Sequence, residues 1–310
     1  MTQLVQPDTL HRFIFEDSPV RGNLVHLDET FHQALAFQHL PQGLKCALGE
    51  LMAASSLLAA TLKMQGSLIL QLQSKGALKI LVVECTSEFK LRATAKWQGE
   101  IRNDQTLFDV IEDGQMMITL DPKDGNQAYQ GIVPLEGESL AAILENYMLR
   151  SEQIDTKIWL NCDGKSAAGL LLQKLPDMTN QAEMNQEKTE QNLETWQRIT
   201  YLADTLTLEE LAQLNAETLL TRLFHQENVR LFTPVDTAFF CSCSRTAVGR
   251  MLKMLGADEI RSILEEQEKI QKQIEVHCDF CNKLYQFDPV DAAQLILENT
   301  AQDDGKSQLH

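Results

Sequence analysis

The chain has 310 residues, of which 44% are apolar, 23% charged and 6% aromatic. That is length enough for two domains and apolar mass enough for a real, mostly aliphatic core. The formal net charge of −17, with no run of Lys and Arg to override it, disfavours nucleic acid as a default partner.

The N-terminus reads Met-Thr-Gln-Leu-Val-Gln-Pro-Asp, without a basic n-region or an apolar h-region. Nothing there directs secretion, and a cytoplasmic location is expected. The longest apolar stretch, Cys46 to Leu62, is short for a membrane span and carries Glu50.

In chain order, residues 1–178 read as a mixed α and β core domain. His11 to Glu16 is a short apolar opening segment, and Arg21 to Leu27 a turn leading into a strand. Phe31 to His39 fits a short helix ended by Pro41. Cys46 to Leu62 is rich in Ala and Leu and almost lacks a polar face, so as a helix it must be buried on all sides. Strand candidates follow at Leu68–Leu72, Leu78–Cys85, Phe89–Trp97, Met116–Leu120, Tyr129–Leu135, Lys157–Cys162 and Gly169–Leu175, with a helix at Ser139–Ser151. The expected fold class is α+β, with a buried helix between mainly antiparallel sheets.

Residues 179–234 read as a helical linker. Its start is polar through 177–192. Trp196, Ile199 and Leu202 then share a stripe. Thr207 and Glu210 form a capping box, with Leu206 and Leu211 placed as its hydrophobic staple. Asn215 can cap a helix carrying Leu219, Leu220, Leu223 and Phe224. These helices are lightly hydrophobic and need a packing partner.

Residues 235–298 read as a small metal-binding domain, followed by a tail, 299–310, with disordered composition. Ser244 can cap a helix with Val248, Met251, Leu252 and Leu255 on one face, stopped by Gly256. A second short helix runs from Asp258 to about Glu266, and Ile274 and Val276 alternate toward the second cysteine pair. Asp288 and Pro289 are placed as N-cap and first residue of a last helix.

The chemistry lies in Cys241-Ser-Cys243 and, after 34 intervening residues, Cys278-Asp-Phe-Cys281. Two close pairs supply two edges of the tetrahedron that structural zinc requires. The plainer readings are two local disulfides or four free thiols. His277 is adjacent, but four thiolates already satisfy zinc, so it reads as a supporting residue. Cys-X-X-Cys closes a disulfide easily; Cys-X-Cys does so only in a small strained ring, of the labile and regulatory kind. Four thiolates on one Zn²⁺ stay electron-rich, so oxidants would carry them through sulfenic acid to disulfide and zinc would leave. A domain of this size without metal would then unfold.

At this point the sequence resembles the heat-shock-protein-33 family of redox-regulated 33-kDa bacterial chaperones. The likeness is carried by Cys241-Ser-Cys243-Ser-Arg245 and His277-Cys278-Asp-Phe-Cys281, and by Val20-Arg-Gly22 with Leu10-His-Arg12 upstream. Tyr129-Gln-Gly131, Leu135-Glu-Gly137, Arg150-Ser-Glu-Gln153 and Asp163-Gly-Lys-Ser-Ala-Ala-Gly169 also fit, in the family's order over nearly the whole chain. The resemblance implies a holdase, not an enzyme, inactive when reduced and zinc-bound. It implies that oxidation pairs Cys241 with Cys243 and Cys278 with Cys281, unfolds the linker, and yields a homodimer that binds unfolding client proteins. Clients would pass on reduction to the 70-kDa heat-shock chaperone system. The spacing between the pairs is a few residues longer than the family's usual one, with the excess falling in Glu265 to Gln273.

Two rival readings are weighed against this. A zinc-ribbon module binding nucleic acid or protein would be basic at its site if nucleic acid were the target, yet residues 236–291 hold 7 Lys and Arg against 10 Asp and Glu. An enzyme needs an open metal position or a catalytic constellation, and none stands out. His11, His26, His32 and His39 match no ligand spacing and read as surface or satisfied core residues. Cys46, Cys85 and Cys162 read as inert small hydrophobes.

Overall fold

The computed structural model describes residues 5–63, 65–176, 186–268 and 273–295. The chain opens with strands β1 (Thr9–Phe15) and β2 (Val20–Leu27), then helices α1 (Glu29–Leu35) and α2 (Gln42–Ala59). Strands β3 (Gly66–Gln73), β4 (Leu78–Thr86), β5 (Lys90–Trp97), β6 (Gln115–Pro122) and β7 (Tyr129–Pro134) follow. Helix α3 (Leu140–Arg150) leads to β8 (Thr156–Cys162) and β9 (Ala167–Lys174). Next come helices α4 (Gln186–Ala203), α5 (Leu208–Gln213) and α6 (Ala216–Phe224), and short strands β10 (Val229–Leu231), β11 (Val235–Asp236) and β12 (Ala238–Phe239). Helices α7 (Arg245–Leu255) and α8 (Ala257–Glu268) and the hairpin β13 (Ile274–His277)–β14 (Leu284–Phe287) complete the labelled elements.

Helix α2 organises the first unit, residues 1–240. Its Leu48, Leu51, Met52, Ala53, Ala54 and Leu57 are all fully buried, as a helix without a polar face requires. Its two serines are buried as well, and each hydroxyl donates to the Met52 carbonyl, at 3.0 Å from Ser55 and 2.9 Å from Ser56. One sheet has the order β10-β1-β2-β9-β8, with β11 also on β1; the other runs β12-β5-β4-β3-β6-β7. Among the described residues every pairing is antiparallel except that of β12 with β5. Side chains from both sheets (Val25, Leu27 and Leu171 from the first; Leu68, Leu70, Leu81 and Leu91 from the second) close over α2 in one core. At Gly169 the helix comes so close that a Cβ would lie 2.8 Å from Leu57 Cδ1.

The first sheet is covered on its other face too. Leu170 and Leu172 of β9 join Phe13, Phe15 and Leu24 in a second core, against Trp196, Ile199, Leu211, Leu219 and Phe224 of α4–α6. Residue alternation in β9 thus feeds two cores, which is why Ala167–Lys174 reads as a continuous apolar run. The linker helices therefore have their packing partner. Thr207 and Glu210 form the expected capping box, and Asn215 Oδ1 accepts from Thr218 N at 2.9 Å.

Several boundaries differ from the sequence expectation; α2, for one, runs from Gln42 to Ala59 where Cys46 to Leu62 was expected. Helix α1 begins at Glu29, not Phe31, because the Asp8 carboxylate reaches across to accept from the backbone N–H of Asp28, Glu29 and Thr30; it ends at Leu35, short of His39. Helix α4 already runs from Gln186, within the stretch read as polar linker. Residues 235–240, assigned by the sequence to the metal domain, belong to the first unit: Leu10 pairs with Val235, and Phe239 with Leu91. The linker residues 179–185 and the tail, 299–310, lie outside the described residues, as do the middle of the Glu265–Gln273 stretch, residues 269–272, and residues 296–298.

His26 illustrates how burial couples to pH. Its Nε2 donates to the Leu211 carbonyl at 2.8 Å, tying β2 to α5. Burial pushes its pKa down from 6.5 to about 4. The unfolded chain therefore takes up a proton below pH 6.5 that the folded chain refuses until about pH 4, so stability falls as pH drops through this window. The full swing is on the order of 3 kcal/mol. We expect urea midpoints measured from pH 7 to 4 to fall less steeply in His26→Gln than in the parent; identical slopes would remove His26 as the cause.

Candidate metal centre

The second unit, residues 241–310, has a small core of its own. Among the described residues it consists of Val248, Leu252, Ile260, Ile274, Tyr285, Phe287 and Ala292, with Cys243 and Cys278 packed against it. Helix α7 starts where the sequence places it: the Ser244 side chain accepts from Ala247 N at 3.1 Å. Val248 and Leu252 face the core, while Met251 and Leu255, expected beside them, are exposed. With seven buried side chains the core is too small to enclose a wider helix face. Asp288 caps the last helix as expected, its Oδ1 accepting from the N–H of Val290 and Asp291.

The second cysteine pair sits at the turn of the β13–β14 hairpin. Register pairs His277 with Leu284 and Ile274 with Phe287. Cys278 N donates to Lys283 O at 3.0 Å, and Asn282 N to Cys278 O at 2.8 Å. Asn282 takes a left-handed φ of 55°, a conformation that Asn tolerates well. This tight knuckle turns Cys278 and Cys281 toward the Cys241-Ser-Cys243 segment ahead of α7.

The four sulfurs converge. Cys241 Sγ lies 3.6 Å from Cys278 Sγ, and Cys243 Sγ lies 3.4 Å from Cys281 Sγ. All four lie within 4.8 Å of one another. A tetrahedron with metal–sulfur bonds of ~2.3 Å has sulfur–sulfur edges of ~3.8 Å, so the donor set fits a single metal ion at its centre. Among the described residues this is the one group of three or more potential ligands that could hold a metal ion.

Thiol acidity within the cluster is unequal. Burial disfavours the Cys243 thiolate, but hydrogen bonds from Tyr285 and the neighbouring thiols outweigh it and bring the pKa down to about 7. Burial first, then hydrogen bonding to Cys243, holds Cys281 up. Burial also raises Cys241.

Two supporting residues had no role assigned from the sequence, although Arg245 closes the Cys241-Ser-Cys243-Ser-Arg245 motif. Tyr285 donates from its hydroxyl to Cys243 Sγ at 3.1 Å. Its place in the alternation Leu284-Tyr-Gln-Phe287 was the available signal. Arg245 donates to the Gln286 carbonyl and, at 2.6 Å, to Asp291 Oδ2. Its guanidinium also lies 4.5 Å from the Phe287 ring centroid. Arg245 thus ties the start of α7 to β14 and the last helix. Removing the outer hydrogen bond from a metal ligand commonly costs 10–100-fold in affinity. We expect Tyr285→Phe to weaken metal binding by about tenfold, read by competition with a chromogenic chelator, without altering stoichiometry; unchanged affinity would leave Tyr285 as core filler.

The remaining sequence candidates fall elsewhere. His277 is exposed, with Nδ1 3.3 Å from Asn282 O, and is not among the converging ligands. His11 and His26 are buried, and His32 and His39 exposed; none joins a ligand cluster among the described residues. Cys85 is buried, its thiol pushed up to about 12 by burial, as an inert core residue would be. Cys46 and Cys162 differ from Cys85: both are half-buried, and Gln42 Nε2 lies 3.4 Å from Cys46 Sγ and 3.4 Å from the carbonyl oxygen of Asp163, next to Cys162.

The comparisons with known proteins follow the same outline. The family model described as Hsp33 protein matches residues 8–288. The 33 kDa chaperonin of Methylobacillus flagellatus is 55% identical over 289 residues, covering 93% of this chain and 94% of its own. That of Chromobacterium violaceum is 48% identical, covering 93% of each. The crystal structure of a 33 kDa chaperonin (heat shock protein 33 homolog) from Thermotoga maritima superposes with a TM-score of 0.74 at 21% identity, covering 95% of this chain and 99% of that one. The last likeness concerns the fold alone, but the family match and the identities over nearly the full length suffice: this chain belongs to the Hsp33 family of chaperones, which are not enzymes.

Proposed function

We propose that this chain is a redox-regulated, ATP-independent holdase, inactive while reduced and holding one zinc ion on Cys241, Cys243, Cys278 and Cys281. The observation that carries this reading is the convergence of four sulfurs over a core of seven buried side chains among the described residues. Zinc is the metal assigned because four thiolates in a tetrahedral set suit a soft, four-coordinate ion. Bound there, it would supply cross-linking and keep the sulfurs as thiolates. It would contribute about 10–16 kcal/mol to a unit whose own core is worth at most ~3–5 kcal/mol.

Oxidation is proposed to pair Cys241 with Cys243 and Cys278 with Cys281. The shortest sulfur contacts run crosswise, from Cys241 to Cys278 and from Cys243 to Cys281. Crosswise disulfides would keep the hairpin tied to the Cys-X-Cys segment. Pairing within each motif instead unties them and leaves the small core unsupported. The helical segment from about Asn192 to Leu231 would then lift from the first sheet. Its apolar face, with Phe13, Phe15 and Leu24 beneath it, would become the surface that holds unfolding client proteins. We place the oxidised form as a homodimer that hands clients to the 70-kDa heat-shock chaperone system, and the protein in the cytoplasm. None of the described helices is long and apolar enough to cross a membrane.

The test measures zinc content and suppression of light scattering by a heat-unfolding client, before and after peroxide. One zinc per chain, lost as holding appears, is the expected result. In the same samples, tryptic peptides 231–245 and 273–283 should each be two hydrogens lighter and not joined to one another. Zinc retained through oxidation, with scattering unchanged, would leave a structural metal and favour a zinc-ribbon binding module.

A further inference from the structure

Outside the metal centre, the fold brings together two cysteines far apart in sequence. Cys46 lies in the first turns of α2 and Cys162 is the last residue of β8. Each thiol shifts the acidity of the other, as neighbouring thiols do. Gln42 spans the same spot: its Nε2 is 3.4 Å from Cys46 Sγ and 3.4 Å from the carbonyl oxygen of Asp163, the neighbour of Cys162. Gly164 N donates to Cys162 Sγ at 3.4 Å. One turn along α2, Gly49 leaves room for this sulfur, since a Cβ there would meet Cys162 Sγ at 2.6 Å. The helix and strand are therefore packed around the pair.

The pair is also reachable. Both cysteines are half-buried, unlike Cys85, which is fully enclosed. Cys46 lines a cleft of about 360 Å³ whose walls include Gln42, Ala47, Glu50, Thr106 and Leu140. That space admits a small oxidant to one sulfur while the other stays behind it.

We propose that Cys46 and Cys162 form a second dithiol–disulfide couple in the first unit, oxidised by hydroperoxides independently of the metal centre. The Cys46 thiolate attacks one peroxide oxygen and the O–O bond breaks. Cys46 becomes a sulfenic acid, the second oxygen leaves as water or alcohol, and it takes up the proton lost from the thiol. The Cys162 sulfur then displaces the hydroxyl of the sulfenic acid, forming the S–S bond and releasing water. Overall two thiols and one hydroperoxide give one disulfide, one water and one water or alcohol. The cleft opens on Cys46 and not on Cys162, and this sets the order of attack; the neighbouring Cys162 thiol also draws the Cys46 pKa down to about 7, while proximity to Cys46 and burial hold Cys162 as the thiol. The product staples α2 to β8.

The test uses the full-length, reduced, zinc-loaded protein, treated briefly with hydrogen peroxide, blocked with iodoacetamide and digested with trypsin without reduction. The expected product joins peptide 46–63 to peptide 158–165 within one chain, while Cys85 is recovered as the alkylated thiol. In Cys162→Ser the expected product is a Cys46 sulfenic acid captured by dimedone, with no such adduct in the parent. Peptides 231–245 and 273–283 in the same digest report the metal centre separately, so failure of the redox switch proposed above is distinguishable from failure here. Recovery of both Cys46 and Cys162 as alkylated thiols, or of Cys46 only in over-oxidised form or in cross-links between chains, overturns the proposal. This wild-type map decides even where the variant does not fold.

Discussion

Cys278→Ser is expected to abolish stoichiometric zinc and to unfold the second unit while leaving the core around α2 intact. The magnitudes decide this. A structural metal contributes about 10–16 kcal/mol, and Ser supplies no thiolate at the position 3.6 Å from Cys241 Sγ. What remains is a core of seven buried side chains among the described residues, worth at most ~3–5 kcal/mol. Among the described residues, the core around α2 contains none of the second unit. Hydrogen exchange should therefore show loss of protection across 241–295 and none in α2. Cys85→Ser is the matched control, since it alters a buried thiol outside the cluster. One zinc per chain and native protection in Cys278→Ser would mean that the four sulfurs are not the metal's ligands.

The second large effect is expected at the first sheet's outer face. Phe224 of α6 is almost fully buried and meets Phe15 edge-to-face with centroids 5.0 Å apart. Truncating such a side chain to Ala typically costs 3–5 kcal/mol. α6 has nine residues and cannot persist undocked. If the client-holding surface lies under α4–α6, Phe224→Ala should suppress client aggregation while still reduced and zinc-bound. Its zinc content should equal that of the parent, since Phe224 lies outside the metal unit. A variant that is destabilised by several kcal/mol yet holds no client in the reduced state would place the client surface elsewhere.

The parts legible in sequence were those fixed by local pattern. The apolar run from Cys46 needed no partner to announce a buried helix, and its lack of a polar face implied cover on both sides. Thr207, Asn215, Ser244 and Asp288 each marked a helix start through the short-range bonds that a cap makes. The two cysteine pairs likewise declared a four-sulfur site, because metal geometry restricts ligand spacing. What escaped was set by contacts distant in sequence. Strands β10–β12 are two or three residues long and exist because β1 and β5 offer edges to them. Asp8 sets the start of α1 from 20 residues away. Met251 and Leu255 fit the apolar stripe of α7, but the core beneath ends before reaching them. The meeting of Cys46 with Cys162 depends on α2 crossing β8, which no spacing rule encodes.

The pairing of Leu10 with Val235 and of Phe239 with Leu91 has a consequence for biosynthesis. At 5–20 residues per second, a ribosome needs roughly 12–48 s to reach residue 240. Until then β1 lacks β10 and β11, and β5 lacks β12. β9, which covers one side of α2, is also made more than a hundred residues after that helix. The nascent chain thus carries one of its most apolar segments uncovered for seconds and cannot finish its first unit until almost all of it has been translated. A protein of this family is, while being made, the kind of client that a holdase protects.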